Sequence, residues 1–190
     1  MLWPFARRKT PPDAGAATIE AIYGMIVAQA RRPVFYAAYR VPDTVNGRFD
    51  LLVLHLWMVL RRLRALGADD VAQHLFDRFC DDLDANLREM GVGDLSVPKR
   101  MTKFGEAFYG RSAAYDAALG AGDEQLAAAL ARNVCVDEGT APALARYVRQ
   151  TVAMLDAISR ETLVAGAWQF PHVGELDEMP AEGSDDEYAR

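Results

Sequence analysis

The sequence predicts an all-α fold, a single irregular bundle of about six to eight helices. Apolar residues recur at helical spacing in every long segment, and helix starts and glycine stops punctuate those segments. No alternating apolar run lies between hairpin turns, which argues against strands. At 190 residues and 51% apolar, the chain can bury one sizeable core, and a single domain is the default. No fixed internal period is present, which argues against a solenoid.

In chain order, Thr18 is the expected cap of a first helix through Ile19, Tyr23, Ile26, Val27 and Ala30. Pro33 ends or bends that helix, and a short aromatic segment follows with Phe35, Tyr36 and Tyr39. The stretch from Val41 to Gly47 carries turn chemistry. From Arg48 to Leu66 the chain is apolar on nearly every helical face, the mark of a central helix. Arg61, Arg62 and Arg64 fall near its negative end, and Gly67 stops it.

Asp69 is the expected cap of the next helix, whose core stripe reads Val71, Leu75, Phe79, Leu83, Leu87 and Met90 before Gly91. Ser96 or Val97 then opens a helix with Pro98 in its first turn. Asp123 starts a short helix, and Thr140 with Pro142 starts a last one expected to run to Val164 or Gly166. Residues 1–17 are expected to be a flexible N-terminal segment, 18–168 the helical domain, and 169–190 an acidic, disordered tail.

Charge is unevenly distributed. From Pro171 onward there are seven acids and one base, so the tail accounts for the whole net charge of −6 and the body is neutral. The two cysteines, Cys80 and Cys135, give neither a disulfide framework nor metal-type spacing. The apolar run from Leu51 to Leu60 is too short for a bilayer, which needs about 20 residues. Neither a secretory signal nor a mitochondrial presequence is recognisable, so a cytoplasmic, bacterial protein is expected. At the start, Leu2, Trp3 and Phe5 stand beside Arg7, Arg8 and Lys9. That composition suits a membrane surface; the alternative is a frayed start whose Trp3 and Phe5 pack onto the body.

Signatures of catalysis are absent from the sequence. The three histidines, His55, His74 and His172, share no metal-binding spacing. His74 with Asp77 and Asp81 reads as a solvated helix face, and His55 as a satisfied core histidine or one lining a cleft. No nucleophile elbow, phosphate loop or dinucleotide fingerprint occurs. Neither an enzyme nor a cofactor, metal or DNA partner is therefore expected.

Binding has better support, in the stretch from Met90 to Arg111. Lys99, Arg100, Lys103 and Arg111 are interleaved there with Phe104, Phe108 and Tyr109. Phe104 and Phe108 share a stripe with Val97 and Met101. An ordinary amphipathic helix explains this, as does a basic patch for RNA, anionic lipid or an acidic partner.

Three blocks of sequence carry a resemblance. Tyr23-Gly24-Met25-Ile26-Val27-Ala28-Gln29-Ala30-Arg31, then Val41-Pro42-Asp43-Thr44 with Asn46-Gly47-Arg48-Phe49-Asp50, then Met90 to Arg111 resemble the ubiquinol–cytochrome c chaperone family. The likeness covers roughly residues 20–165, in order. It implies an all-helical, non-enzymatic assembly factor of the cytochrome bc1 complex that binds newly made cytochrome b and supports its haem acquisition. Mitochondrial relatives of this kind work with a small helical partner and sit at the ribosome exit. The resemblance implies a peripheral position on the cytoplasmic face of the inner membrane. Contact is expected at Asp43, Thr44, Asn46, Gly47 and Arg48, and at Asp94, Lys99, Arg100, Lys103, Phe108, Tyr109 and Arg111. Asp43, Asn46 and Asp94 serve equally well as caps and loop braces.

Overall fold

A computed structural model describes residues 14–134 and 139–173. Among these residues there are eight helices and no strand. They are α1 (Ala14–Ala30), α2 (Pro33–Ala37), α3 (Val45–Ala65), α4 (Asp69–Glu89), α5 (Val97–Ala121), α6 (Asp123–Val134), α7 (Ala141–Ala157) and α8 (Arg160–Val164). The fold is the expected all-α bundle.

The all-round apolar helix is the axis. α3 packs against α1, α4, α5, α6, α7 and α8, and buries Leu51, Val53, Leu54, Leu56, Met58, Val59, Leu60 and Leu63. Side chains in such an interior pack at crystal-like density, and from Asp50 to Leu60 every residue of the helix but Leu52 is buried. At its end, Arg61 pairs with Asp156 at 3.0 Å and Arg62 donates to the Ile158 carbonyl at 2.8 Å. These arginines tie α3 to the C-terminal end of α7. Gly67 and Gly91 turn the chain after α3 and α4 at φ 65° and 78°, a region that favours glycine.

Several local expectations change. Thr18 lies inside α1, which already runs from Ala14, because the alanine-rich start has high helix propensity. Residues 14–17 are thus helical. Pro33 opens the short helix α2 as its first residue, where the missing N–H costs nothing. Asp69 is the first residue of α4, and its carboxylate meets the helix dipole without making the cap. The core stripe of α4 holds Ala72, Leu75, Phe76, Phe79, Leu83 and Leu87, while Met90 is 60% exposed. α7 breaks at Ile158, and Ser159 caps α8 by accepting from Thr162 N at 3.2 Å. At the C-terminal side, Trp168 and Val173 are buried and Phe170 packs against the core, so residues 169–173 belong to the body.

Candidate functional site

Turn and helix start together make a rigid lip. Thr44 Oγ1 accepts from Gly47 N at 3.2 Å, capping α3. Asp43 and Arg48 pair at 2.6 Å across the turn, both exposed, and each shifts the other toward its charged form. Gly47 is buried, and a Cβ there would stand 2.0 Å from the Pro42 carbonyl oxygen. Only glycine lets α3 start so close to that carbonyl. The lip then presents Val45, 72% exposed, and Asn46 to solvent.

Behind the lip lies a groove of about 340 Å³ between α1, α3, α4 and α5. Its walls are Val27 and Ala30 of α1, Val45, Phe49 and Leu52 of α3, Leu83 and Leu87 of α4 with Met90 after it, and Phe104 of α5. Phe49 also packs its ring against its neighbours, with its centroid 5.0 Å from Phe104 and 6.3 Å from Phe79. Polar groups stand at the margin. Arg31 and Arg48 are exposed; Asp82 accepts from Tyr23 Oη at 2.9 Å and lies 3.6 Å from Arg78. An apolar depression ringed by polar groups is the usual form of a binding site.

The expected contact residues divide. Asn46 and Arg48 line the groove, while Asp43, Thr44 and Gly47 build its lip. Asp94 pairs with Arg88 and braces the turn after α4. Lys99, Arg100 and Lys103 are exposed on the first turns of α5 and do not line the groove. Phe108 is completely buried against Phe76 and Phe79, so it serves the core in this conformation. Tyr109 is half-buried beside it, and burial pushes its phenol up to about 12. Arg111 turns inward to Asp50 at 2.7 Å and lies over the Phe49 ring, 5.7 Å from its centroid.

Asp50 was not among the expected site residues. It is buried, and burial raises its pKa against the opposing pull of Arg111. The groove walls Val27, Leu52, Leu83 and Leu87 were also missed as a site, because each reads as ordinary core and only the fold brings them together. Leu2, Trp3, Phe5, Arg7, Arg8 and Lys9 lie outside the described residues.

Further along α3 the polar chemistry is closed. His55 is wholly buried, with Nδ1 2.7 Å from the Leu51 carbonyl oxygen and Nε2 2.8 Å from Tyr147 Oη. Gln29 Nε2 donates to the same Tyr147 oxygen at 3.0 Å. Burial pushes the imidazole down to about 4, so it is neutral at physiological pH. This is the satisfied core histidine of the two readings open in the sequence. Among the described residues no group of three His, Cys, Asp or Glu side chains could hold a metal ion. No helix among them is long and apolar enough to cross a membrane.

The family profile for the ubiquinol–cytochrome C chaperone matches residues 37–170. The chain is 30% identical to the ubiquinol-cytochrome-c reductase complex assembly factor 1 of Xenopus laevis over 136 residues, 68% of each protein. It is 27% identical to Protein CBP3, mitochondrial, of Saccharomyces cerevisiae over 146 residues, 72% of this chain and 44% of that one. It thus spans less than half the length of the yeast relative. A crystal structure of the Cbp3 homolog from Brucella abortus superposes with a TM-score of 0.75 at 43% identity, covering 84% of this chain and 91% of that one. This chain belongs to the ubiquinol–cytochrome c chaperone family.

Proposed function

We propose that this protein is an assembly chaperone of the cytochrome bc1 complex (ubiquinol–cytochrome c reductase) that holds newly made cytochrome b before it enters the complex. The observation that carries this reading is the open apolar groove, found in a chain of this family. The unassembled helices of a membrane protein display apolar side chains and need cover from wrong contacts. A groove of this size takes a few such side chains, with Met90 as an adaptable edge. Asn46 and Arg48 meet the polar flank of the client segment.

A second contact rests on the exposed bases Lys99, Arg100 and Lys103, none of which makes an ion pair with another described residue. They suit the anionic surface of the inner membrane beside which the client is inserted. Leu2, Trp3, Phe5, Arg7, Arg8 and Lys9 add a second such contact, giving a peripheral position on the cytoplasmic face.

Deleting the gene and recording the membrane b- and c-type haem spectrum tests the function. Reduced cytochrome b and bc1 activity are expected; normal levels of both overturn the proposal. A photocrosslinker at Asn46 should capture nascent cytochrome b. An adduct from position 100 but none from position 46 moves the contact out of the groove. For the lipid contact, vesicles with and without anionic lipid are compared, with salt-sensitive binding expected only to the former.

A further inference from the structure

We propose that the corner joining α4 to α5 inserts into the surface of an anionic bilayer. Leu95 and Met90 enter below the headgroups, and Arg100 and Lys103 meet the phosphates. The first observation is exposure. Among the described residues the large apolar side chains left exposed are Val45, Met90 and Leu95, at 72%, 60% and 97%. Val45 and Met90 both line the groove, one from the start of α3 and one from the end of α4. Leu95 follows Met90 across a turn that backbone hydrogen bonds close on both sides. Val92 N donates to the Leu87 carbonyl at 3.0 Å, and Ser96 N to the Gly93 carbonyl at 2.8 Å. The corner therefore holds its apolar side chains out on a tied backbone.

The second observation is charge. From Arg88 to Lys103 four bases stand against two acids, Glu89 and Asp94, and Arg88 holds Asp94. Lys99, Arg100 and Lys103 are exposed and make no ion pair with any described residue. Arg100 lies one helical turn before Phe104, so the two share a stripe of α5, and Phe104 lines the groove. The third is shape. A side chain 97% exposed touches almost nothing of its own chain, so Leu95 projects as a point. A protein partner would need a pocket built to receive it. A bilayer takes any projecting apolar side chain, and the neighbouring bases gain from anionic headgroups. Seated this way, the corner turns the Met90 edge of the groove toward the membrane. That a client segment can then pass from the bilayer into the groove rests on the chaperone reading above; the insertion itself does not.

A fluorescent amino acid placed in the purified full chain tests the insertion. The chain is mixed with vesicles of phosphatidylcholine and phosphatidylglycerol whose acyl chains are brominated. Strong quenching is expected with the probe at Leu95, weaker quenching at Met90, and none at Gln150, which is exposed on α7. In sedimentation with the same vesicles, Leu95→Ser should lower binding about tenfold. Leu95→Trp should raise it, since an indole favours the headgroup level. Arg100→Gln with Lys103→Gln should lower it about thirtyfold at low salt and much less at high salt. Vesicle binding without quenching at position 95 overturns the insertion and leaves the salt-sensitive basic contact standing. Equal quenching at position 150, or unchanged binding in Leu95→Ser, also overturns it. Absence of binding to anionic vesicles overturns both contacts. Normal cytochrome b in the deletion strain, with quenching present, removes the chaperone reading and leaves the insertion standing.

Discussion

α3 passes through two environments that use its apolar residues in opposite ways. Around His55, every wall is closed: Phe35, Tyr147 and Phe170 surround the imidazole with ring centroids 5.3, 5.7 and 5.4 Å away. Near Val45 and Phe49, the same helix faces an open groove. In the closed part a polar group is tolerated because both ring nitrogens are partnered. In the open part apolar surface stays exposed, at a cost to solubility that function has to justify. The comparison separates residues that hold the fold from residues free to meet a partner.

Phe35→Ala strikes the closed part hardest. The ring is fully buried against Tyr39, His55 and Tyr147, so its loss should cost about 3–5 kcal/mol, read as a lowered midpoint in urea unfolding. Acid tests the same region. His55 has a folded pKa of about 4 against an unfolded 6.5, so the unfolded chain binds the extra proton between these values. Stability should therefore fall as pH drops from 6.5 to 4, by about 3 kcal/mol from this group. In His55→Gln that contribution vanishes, and the gap in unfolding free energy from the parent should narrow toward low pH. A constant gap would remove the neutral, buried histidine from the account.

Arg111→Met tests the boundary between the two environments. It leaves the Asp50 carboxylate buried without its partner, for a loss of about 2 kcal/mol, less than a fully buried pair because Arg111 remains partly exposed. Asp50→Asn added to it should restore part of the loss. At the open end, Met90→Ser should shift stability by less than about 0.5 kcal/mol in thermal unfolding. It should nevertheless reduce client crosslinking from position 46. A large loss of stability there would make Met90 core and close the comparison.

The sequence made the closed part legible and the open part mostly not. All-round apolarity marked α3 as central, and Gly67 and Gly91 marked two helix ends. The phase of α4 was misread at Met90, since a stripe extrapolated one turn too far cannot know that the chain stops burying it. The break between α7 and α8 has a local signal, Ser159 three residues before Thr162, that continuous periodicity overshadowed. Asn46 and Arg48, two of the expected contact residues, line the groove. Their company was not legible, because Val27, Leu52, Leu87 and Phe104 come from four helices and converge only after folding. Arg111 looked like a surface base because nothing local reveals its partner Asp50, 61 residues away by sequence number.

The contact between Gly47 and the Pro42 carbonyl gives the groove a mechanical asymmetry. Backbone pressed against backbone cannot yield, so that jaw keeps its position whatever enters. The opposite jaw ends in the long unbranched side chain of Met90, which re-settles at little cost. One still edge sets the register of a guest, and one soft edge forgives its shape, an arrangement that suits grip without selectivity for a single sequence.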